Sequence, residues 1–81
     1  MATITLTAYG PLREVLGDAP VTLESSATTM GEFLDWLHVQ YPALAAWRSR
    51  IACALDDALV GAGEALPAKA RIDLIPPVSG G

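Results

Sequence analysis

The sequence predicts an α+β domain in which one mixed sheet of about five strands is covered on one face by a single main helix. Four short segments place their larger apolar residues at every second position, which is typical of half-buried strands, and residues 58–60 form a fifth short apolar segment. Only residues 30–41 carry an apolar stripe with helical spacing over three turns. The resulting order is β-β-α-β-β-β, and 81 residues suffice for one hydrophobic core. We expect this domain at residues 1–75, with residues 76–81 as a C-terminal tail.

The first quarter of the chain predicts two strands around a short helical turn. Residues 3–8 alternate threonine with apolar residues, which indicates a strand with one buried face. A Gly-Pro pair ends this strand, and residues 11–17 have the Pro-first, Gly-last pattern of a short helix. Residues 20–24 then read as the second strand.

The main helix has recognisable signals at both ends. The segment Thr29-Met30-Gly31-Glu32 fits a capping box, with Thr29 as the N-cap and Glu32 reaching back to it. Pro42 disfavours the α conformation in the preceding residue, so the helix should end at Tyr41. The stripe that should lie on the sheet consists of Met30, Phe33, Leu34, Leu37 and Tyr41.

The second half of the chain predicts three further strands. Residues 51–55 carry their larger apolar side chains at every second position, which predicts a strand. A turn at Asp56-Asp57 leads from it into a short strand at 58–60. The segment 61–63, Gly-Ala-Gly, should loosen the chain. The last strand covers 71–75, with its apolar residues alternating between the core face and the opposite face.

Composition and charge exclude several classes of function. The formal charge is −4 and the five Lys and Arg residues form no cluster, which disfavours nucleic-acid binding. No apolar run approaches the roughly 18 residues that a membrane span needs, so we expect no membrane partner. The N-terminus has no signal-peptide pattern, and we expect a cytoplasmic protein. A single cysteine excludes an internal disulfide.

Individual residues of the domain offer weak candidates for chemistry. Cys53 could be a nucleophile, but it shares strand parity with apolar residues and is better interpreted as core. His38 points away from the helix stripe and is expected to be solvated. Asp56 and Asp57 are adjacent in a turn, an arrangement that rarely brings two carboxylates onto one substrate atom. Trp36 lies at the edge of the helix stripe, where it could serve an interface or pack over the helix. We therefore expect no active site and no metal site in the domain.

The tail has the features of an arm that presents its carboxylate to other proteins. Pro76 and Pro77 have restricted φ and lack N–H groups, so they hold the chain extended and outside the sheet ladder. Gly80 and Gly81 lack Cβ and can enter a space too narrow for any side chain. From Pro76 onward, the six residues could reach roughly 20 Å. A frayed terminus is the alternative.

The sequence also resembles a known family. Its ending, Asp-Leu-Ile-Pro-Pro-Val-Ser-Gly-Gly at 73–81, is similar to that of the small subunits of molybdopterin synthase, which are sulfur carriers of the ubiquitin-like β-grasp group. The strand–turn–strand segment 54–60 and the element order add to the resemblance. Two turns depart from the family pattern: 68–71 is Ala-Lys-Ala-Arg in place of an Asp-Gly-Asp type, and Asp56 stands where Asn is common.

The resemblance implies a β-grasp fold and a sulfur-carrier function. An ATP-dependent, ubiquitin-activating-like adenylyltransferase would adenylate Gly81, and a sulfur donor protein would convert it to a thiocarboxylate. The chain would bind no cofactor and would not be catalytic alone. Its tail, through Pro76, Pro77, Val78, Ser79 and Gly80, would enter the large subunit of molybdopterin synthase in a heterotetramer and deliver sulfur to a pterin precursor.

Two alternatives to this function stay open at this point. The chain could carry sulfur for another pathway, such as thiamine thiazole, amino-acid or tRNA thiolation. It could also be a ubiquitin-like modifier joined to lysines through Gly81.

Strand parity further predicts a partner-binding surface at the root of the tail. Parity directs Ile75 outward together with Ala52 and Ala54, and if Leu59 faces the same way these residues form an apolar patch with the two prolines. The alternative is that Ile75 tucks under a loop and closes the core.

Overall fold

The computed structural model describes residues 1–76, apart from the side chain of Arg48, and contains the predicted elements. In chain order the elements are β1 (Ala2–Ala8), a 3₁₀ turn (Gly10–Leu12), α1 (Arg13–Leu16), β2 (Val21–Ser25), α2 (Met30–Gln40), a 3₁₀ segment (Pro42–Arg50), β3 (Ala52–Leu55), β4 (Ala58–Val60) and β5 (Lys69–Ile75).

The strands form one mixed sheet in the order β2-β1-β5-β3-β4. The central pair, β1 and β5, is parallel, and every other pair is antiparallel. The last strand in the sequence therefore lies in the middle of the sheet, hydrogen-bonded on both sides. This five-stranded mixed sheet with one main helix is the β-grasp arrangement, and the predicted fold class is confirmed.

The core lies between the sheet and α2, as the alternating pattern predicts. In β1 and β5 the even-numbered residues face the helix, and Ile4, Ile72 and Leu74 are fully buried. Phe33 and Leu37 of α2 are fully buried against them. The opposite face of the sheet, called the open face below, has no layer packed over it within residues 1–76.

The N-terminus of α2 is capped almost as predicted. Thr29 is the N-cap, and its hydroxyl accepts a hydrogen bond from the Glu32 backbone N–H at 3.2 Å. The Glu32 carboxylate reaches back one residue further than expected, to the N–H of Thr28 at 2.8 Å and its hydroxyl at 2.9 Å. These bonds hold the pKa of Glu32 below its ordinary value, and the bond from the Thr28 backbone has the largest effect.

The expectation that residues 61–63 loosen the chain is wrong. The Met30 N–H donates to the Glu64 carbonyl and the Gly31 N–H to the Ala62 carbonyl, both at 2.8 Å. The first backbone donors of a helix have no partner within it, and this loop supplies their acceptors. The loop is therefore packed against the helix N-terminus.

The boundaries of four strands differ from the predicted ones by one or two residues. β1 begins at Ala2 rather than residue 3, and β3 begins at Ala52 rather than residue 51. The second strand covers Val21–Ser25 rather than 20–24, and β5 begins at Lys69 rather than Arg71. Lys69 and Ala70 pair with Thr3 and Ile4 of β1. This partner is far away in the sequence, so the local alternation of residues 68–71 does not reveal it.

Candidate functional site

The C-terminal end of β5 is the point where the predicted tail leaves the domain. Ile75 is the last strand residue and Pro76 follows it, half-buried. Of the predicted tail residues, only Pro76 is described. Pro77, Val78, Ser79, Gly80 and Gly81 lie outside the described residues.

The end of β5 is held by strands on both sides. Leu74 pairs with Ala8 of β1, and Ile75 pairs with Ala52 of β3. The Tyr9 N–H also donates to the Leu74 carbonyl at 3.2 Å. The root of the tail is thus fixed to the centre of the sheet and not to an edge that could fray.

Leu59 faces outward on the open face, which the sequence left undecided. It lies directly opposite Ala54, whereas its neighbour Val60 lies opposite the core residue Cys53. Directly paired residues share a face of the sheet, so Leu59 points away from α2. Its side chain is 73% exposed, which is high for a large apolar residue.

Ile75 also lies on the open face. It is half-buried, but it belongs neither to the buried core cluster nor to the half-buried residues packed against that cluster. Its direct partner Ala52 is exposed. This geometry agrees with the outward direction predicted from parity and not with a residue that closes the core.

One detail of the predicted surface differs in the structure, namely the exposure of Ala54. This alanine is on the open face, but it is only 6% exposed rather than accessible. Its small side chain lies between Leu59 of β4 and Asp73 of β5, its two cross-strand partners. The open face near the tail root therefore carries Leu59, Ala52 and Ile75 around a covered alanine. We call these three residues the root patch.

The two aspartates of the β3–β4 turn have structural partners. Both have positive φ, +47° for Asp56 and +75° for Asp57, as a two-residue type I′ hairpin turn requires. The Asp56 carboxylate accepts from the Arg71 backbone N–H at 3.0 Å, and Asp57 pairs with the Arg71 guanidinium at 2.6 Å. The hydrogen bond to Asp57 raises the pKa of Arg71. These carboxylates join the turn to β5 and do not form a catalytic pair.

Other side chains considered for chemistry also have structural settings. Cys53 is a buried core residue, as predicted. Trp36 is half-buried against the core and stacks on Phe33, with ring centroids 5.9 Å apart. The prediction of a solvated His38 is wrong, because the side chain is half-buried. Its Nδ1 contacts the Leu34 carbonyl, and its Nε2 is buried without a hydrogen-bond partner in the described part of the chain.

A concavity lined mainly by polar residues lies on the open face beside the β3–β4 turn. It has a volume of about 450 Å³ and is lined by Thr3, Thr5, Lys69 and Arg71 beside the two turn aspartates, which are already bonded to Arg71. Within residues 1–76 no three His, Cys, Asp or Glu side chains are grouped as metal ligands. In the same residues, no helix is long and apolar enough to cross a bilayer.

Comparison with known proteins identifies the family to which this chain belongs. Residues 6–81 match the model of the ThiS family. Among curated proteins, none matches the sequence significantly. Several solved structures are similar over nearly their whole length.

Three of these structures are informative. SAMP1 from Haloferax volcanii is 29% identical, covers 99% of this chain with 100% of its own, and superposes with a TM-score of 0.81. A complex of subunits 1 and 2 of molybdopterin-converting factor from Helicobacter pylori matches at 25% identity, 98% and 99% coverage and a TM-score of 0.70. The BexX/CysO complex from Amycolatopsis orientalis matches at 20% identity, 96% and 99% coverage and a TM-score of 0.73, which supports the fold alone.

Proposed function

Because the chain belongs to the ThiS family, we propose that it is a sulfur carrier whose Gly81 carboxylate is activated and converted to a thiocarboxylate. We further propose that it acts in the cytoplasm as the small subunit of molybdopterin synthase and donates its sulfur to a pterin precursor. The observation that carries the proposal is the end of β5. A strand anchored on both sides leads into Pro-Pro-Val-Ser-Gly-Gly beside an exposed apolar patch.

The chemistry requires an activated carboxylate. A carboxylate oxygen of Gly81 attacks the α-phosphate of ATP, which forms an acyl adenylate and releases pyrophosphate. The terminal sulfur of a persulfide on the donor protein then attacks the acyl carbon and AMP leaves, giving an acyl disulfide. A thiol attacks the donor protein's sulfur in that disulfide and forms a new disulfide with it. The thiol thereby supplies the two electrons, and the thiocarboxylate is left on the carrier.

Transfer to the acceptor regenerates the carrier. The thiocarboxylate sulfur attacks a carbon of the precursor and displaces an oxygen substituent from it, and water then cleaves the acyl–sulfur bond. The sulfur stays on the product and Gly81 returns as a carboxylate. Every catalytic group in this scheme belongs to a partner. ATP is consumed by the activating enzyme and no cofactor is held by the chain.

The partners follow from the same scheme. They are an adenylyltransferase of the ubiquitin-activating type, a sulfur donor protein and the large synthase subunit. The Helicobacter pylori structure is a complex of two subunits of molybdopterin-converting factor, which supports a partner subunit here. We propose that the root patch is the surface that such partners bind, because an exposed leucine beside a reactive arm is a natural docking point.

Reconstitution with purified components tests the sulfur-carrier role. The chain is incubated with ATP, the adenylyltransferase of the same organism, a persulfide donor and a thiol, and its intact mass is recorded. The expected product has gained the mass difference between sulfur and oxygen, and a variant without Gly81 gains nothing. If the mass of the parent chain is unchanged while the enzyme and donor modify a known carrier, the sulfur-carrier proposal is wrong.

The pathway is tested separately. The thiocarboxylate form is mixed with the large synthase subunit and the cyclic pyranopterin precursor, and dithiolene formation is followed. A strain without its own small subunit should regain molybdoenzyme activity when it expresses the chain. Thiocarboxylate formation without either result would assign the carrier to another thiolation pathway, such as thiamine thiazole, amino-acid or tRNA thiolation.

Protein modification is a second candidate, favoured by the similarity to SAMP1. The name of the Methanosarcina acetivorans homologue, which is 24% identical, expands this term to small archaeal modifier protein. In that function the Gly81 carboxylate would form an isopeptide bond to lysines of other proteins. The chain itself has a single lysine, Lys69, so chains of linked copies would have one attachment lysine. Adducts in cell extract that disappear on deletion of Gly81 would establish this activity.

A further inference from the structure

The first residue of the tail packs directly against a glycine at the end of β1. Gly10 has φ +57°, and a Cβ added there would lie 2.9 Å from Cγ of Pro76. The Cδ and Cβ atoms of the same ring would lie at 3.8 and 4.0 Å. Real side chains do not approach to 2.9 Å, so the observed position of the Pro76 ring requires a residue without Cβ at position 10.

The Gly10 turn is itself anchored to the strand that carries Pro76. The Tyr9 N–H donates to the Leu74 carbonyl, and the Leu12 N–H donates to the Tyr9 carbonyl, both at 3.2 Å. The Arg13 Nε donates to the Gly10 carbonyl at 3.2 Å, and Leu12 is fully buried. Gly10 is therefore held in place, and the ring of Pro76, two residues after Leu74, rests against it.

We propose that Gly10 is a positioning residue that fixes the direction in which the tail leaves the domain. This inference rests on the proposed function, in which the tail must reach a partner's pocket. Proline has a nearly fixed φ, so the position of its ring determines much of the path of the next residue. The Gly10 contact holds that ring in one place.

A change of direction at the root matters because the reacting carboxylate is five residues further along the chain. Five residues span at most about 17 Å, so a rotation of about 10° at Pro76 moves the terminal carboxylate by at most about 3 Å. A reacting group misplaced by about 1 Å can lose on the order of 100-fold in rate. Because a partner's pocket recovers part of that alignment, we expect Gly10→Ala to lower kcat for adenylation and sulfur transfer about tenfold. We expect KM to change less than about twofold, since the substitution leaves Leu59 and Ile75 in place.

Gly17→Ala is the matched control for backbone strain. Gly17 also has a positive φ, +93°, but nothing lies within 4 Å of its added Cβ. Both substitutions force alanine into a conformation that glycine favours, and only one displaces Pro76. Gly10→Asn is the second variant, because asparagine tolerates positive φ and still carries a Cβ. It keeps the test possible if Gly10→Ala does not fold.

A double-mutant cycle with Pro76→Ala tests whether Gly10→Ala lowers kcat through the contact between Gly10 and Pro76. If both residues act through one contact, the double variant is no slower than the slower single variant. If the two losses in kcat multiply instead, Gly10 acts in another way and the proposal is overturned. Equal kcat for the Gly10→Ala, Gly17→Ala and parent chains overturns it as well.

A measurement on the isolated chain separates this inference from the proposed function. Spin labels at Ser79→Cys and at the exposed Val39→Cys report the distance from the tail to α2 by pulsed electron paramagnetic resonance. Gly10→Ala or Gly10→Asn should shift or broaden that distance distribution, and Gly17→Ala should not. An unchanged distribution in both Gly10 variants overturns the inference even if the chain carries sulfur. A changed distribution supports it even if the reconstitution yields no thiocarboxylate.

Discussion

Leu59→Asp tests the root patch with little damage to the fold. Leu59 is 73% exposed, so its side chain contributes little to the folded monomer. An exposed substitution of this kind should change the free energy of unfolding by less than about 0.5 kcal/mol. The position also has a matched control in Val39, an aliphatic residue that is 74% exposed on α2.

The expected loss of affinity follows from the same exposure. Full burial of a leucine stabilises by about 1.5–3 kcal/mol relative to leaving it in water. Since almost three quarters of Leu59 is still exposed, docking can gain roughly 1–2 kcal/mol from it. Placing an aspartate carboxylate in the same apolar contact adds a desolvation cost. We therefore expect Leu59→Asp to weaken partner binding by about 2 kcal/mol, or about 30-fold in Kd.

The assay compares three proteins against two partners. Parent, Leu59→Asp and Val39→Asp chains are titrated calorimetrically into the large synthase subunit and into the adenylyltransferase, and urea unfolding is recorded for each. Leu59→Asp should lose affinity with an unchanged urea midpoint, and Val39→Asp should retain both. If Leu59→Asp binds both partners as tightly as Val39→Asp does, Leu59 is not part of a docking surface. If it unfolds instead, the strand register deduced for β4 is wrong.

Three further predictions concern the stability of the domain, each measured by urea or thermal unfolding. Glu32→Gln should make the free energy of unfolding depend less on pH in the acid range. The hydrogen bonds to Thr28 lower the folded pKa of Glu32, so the parent has the full stabilisation above the ordinary value of 4.5 and loses it as the pH falls through the lower folded pKa. The variant has no carboxylate at this position and should not show that loss. Asp57→Gly should stabilise by roughly 0.5 kcal/mol, because glycine adopts φ +75° without strain and the lost ion pair is exposed; a lower midpoint would contradict this reasoning. Gly31→Ala should destabilise by about 1 kcal/mol despite the better helix propensity of alanine, because its Cβ would lie 3.2 Å from the Cβ and carbonyl oxygen of Ala62. Ala62→Gly should restore part of that loss, and a gain in stability from Gly31→Ala alone would show that the loop yields freely.

Much of the fold could be predicted because local patterns agree with the tertiary arrangement. In β5 the alternation of apolar residues matches a strand covered on one side, so Ile72 and Leu74 are in the core and Ile75 is outside it. Pro42 and the capping pattern at Thr29 limit α2 by backbone chemistry that acts within a few residues. Such features need no knowledge of distant partners.

The remaining features depend on contacts between distant parts of the chain. Ala54 has the expected direction, but its burial comes from Leu59 and Asp73 on neighbouring strands. The glycines of 61–63 indicate flexibility by composition, yet their loop finds unpaired N–H groups at the start of α2. In the sequence, the Gly10-Pro11 pair indicates only the end of a strand. The contact between Gly10 and Pro76 brings together residues at opposite ends of the sequence, and a Gly-Pro pair alone carries no signal for it.

The position of β5 also suits the proposed function, in which the tail is a carrier arm that must work without disturbing the domain that bears it. A partner that draws the tail into a pocket exerts its force on Ile75 and Pro76. Because β5 lies between β1 and β3, that force is resisted by backbone ladders on both sides. A tail attached to an edge strand such as β4 would be resisted on one side only and would tend to peel the strand away. The parallel β1–β5 pair adds the Gly10 turn beside the exit, because parallel strands end at the same edge of the sheet. The topology therefore supplies both the anchor of the arm and the surface that directs it.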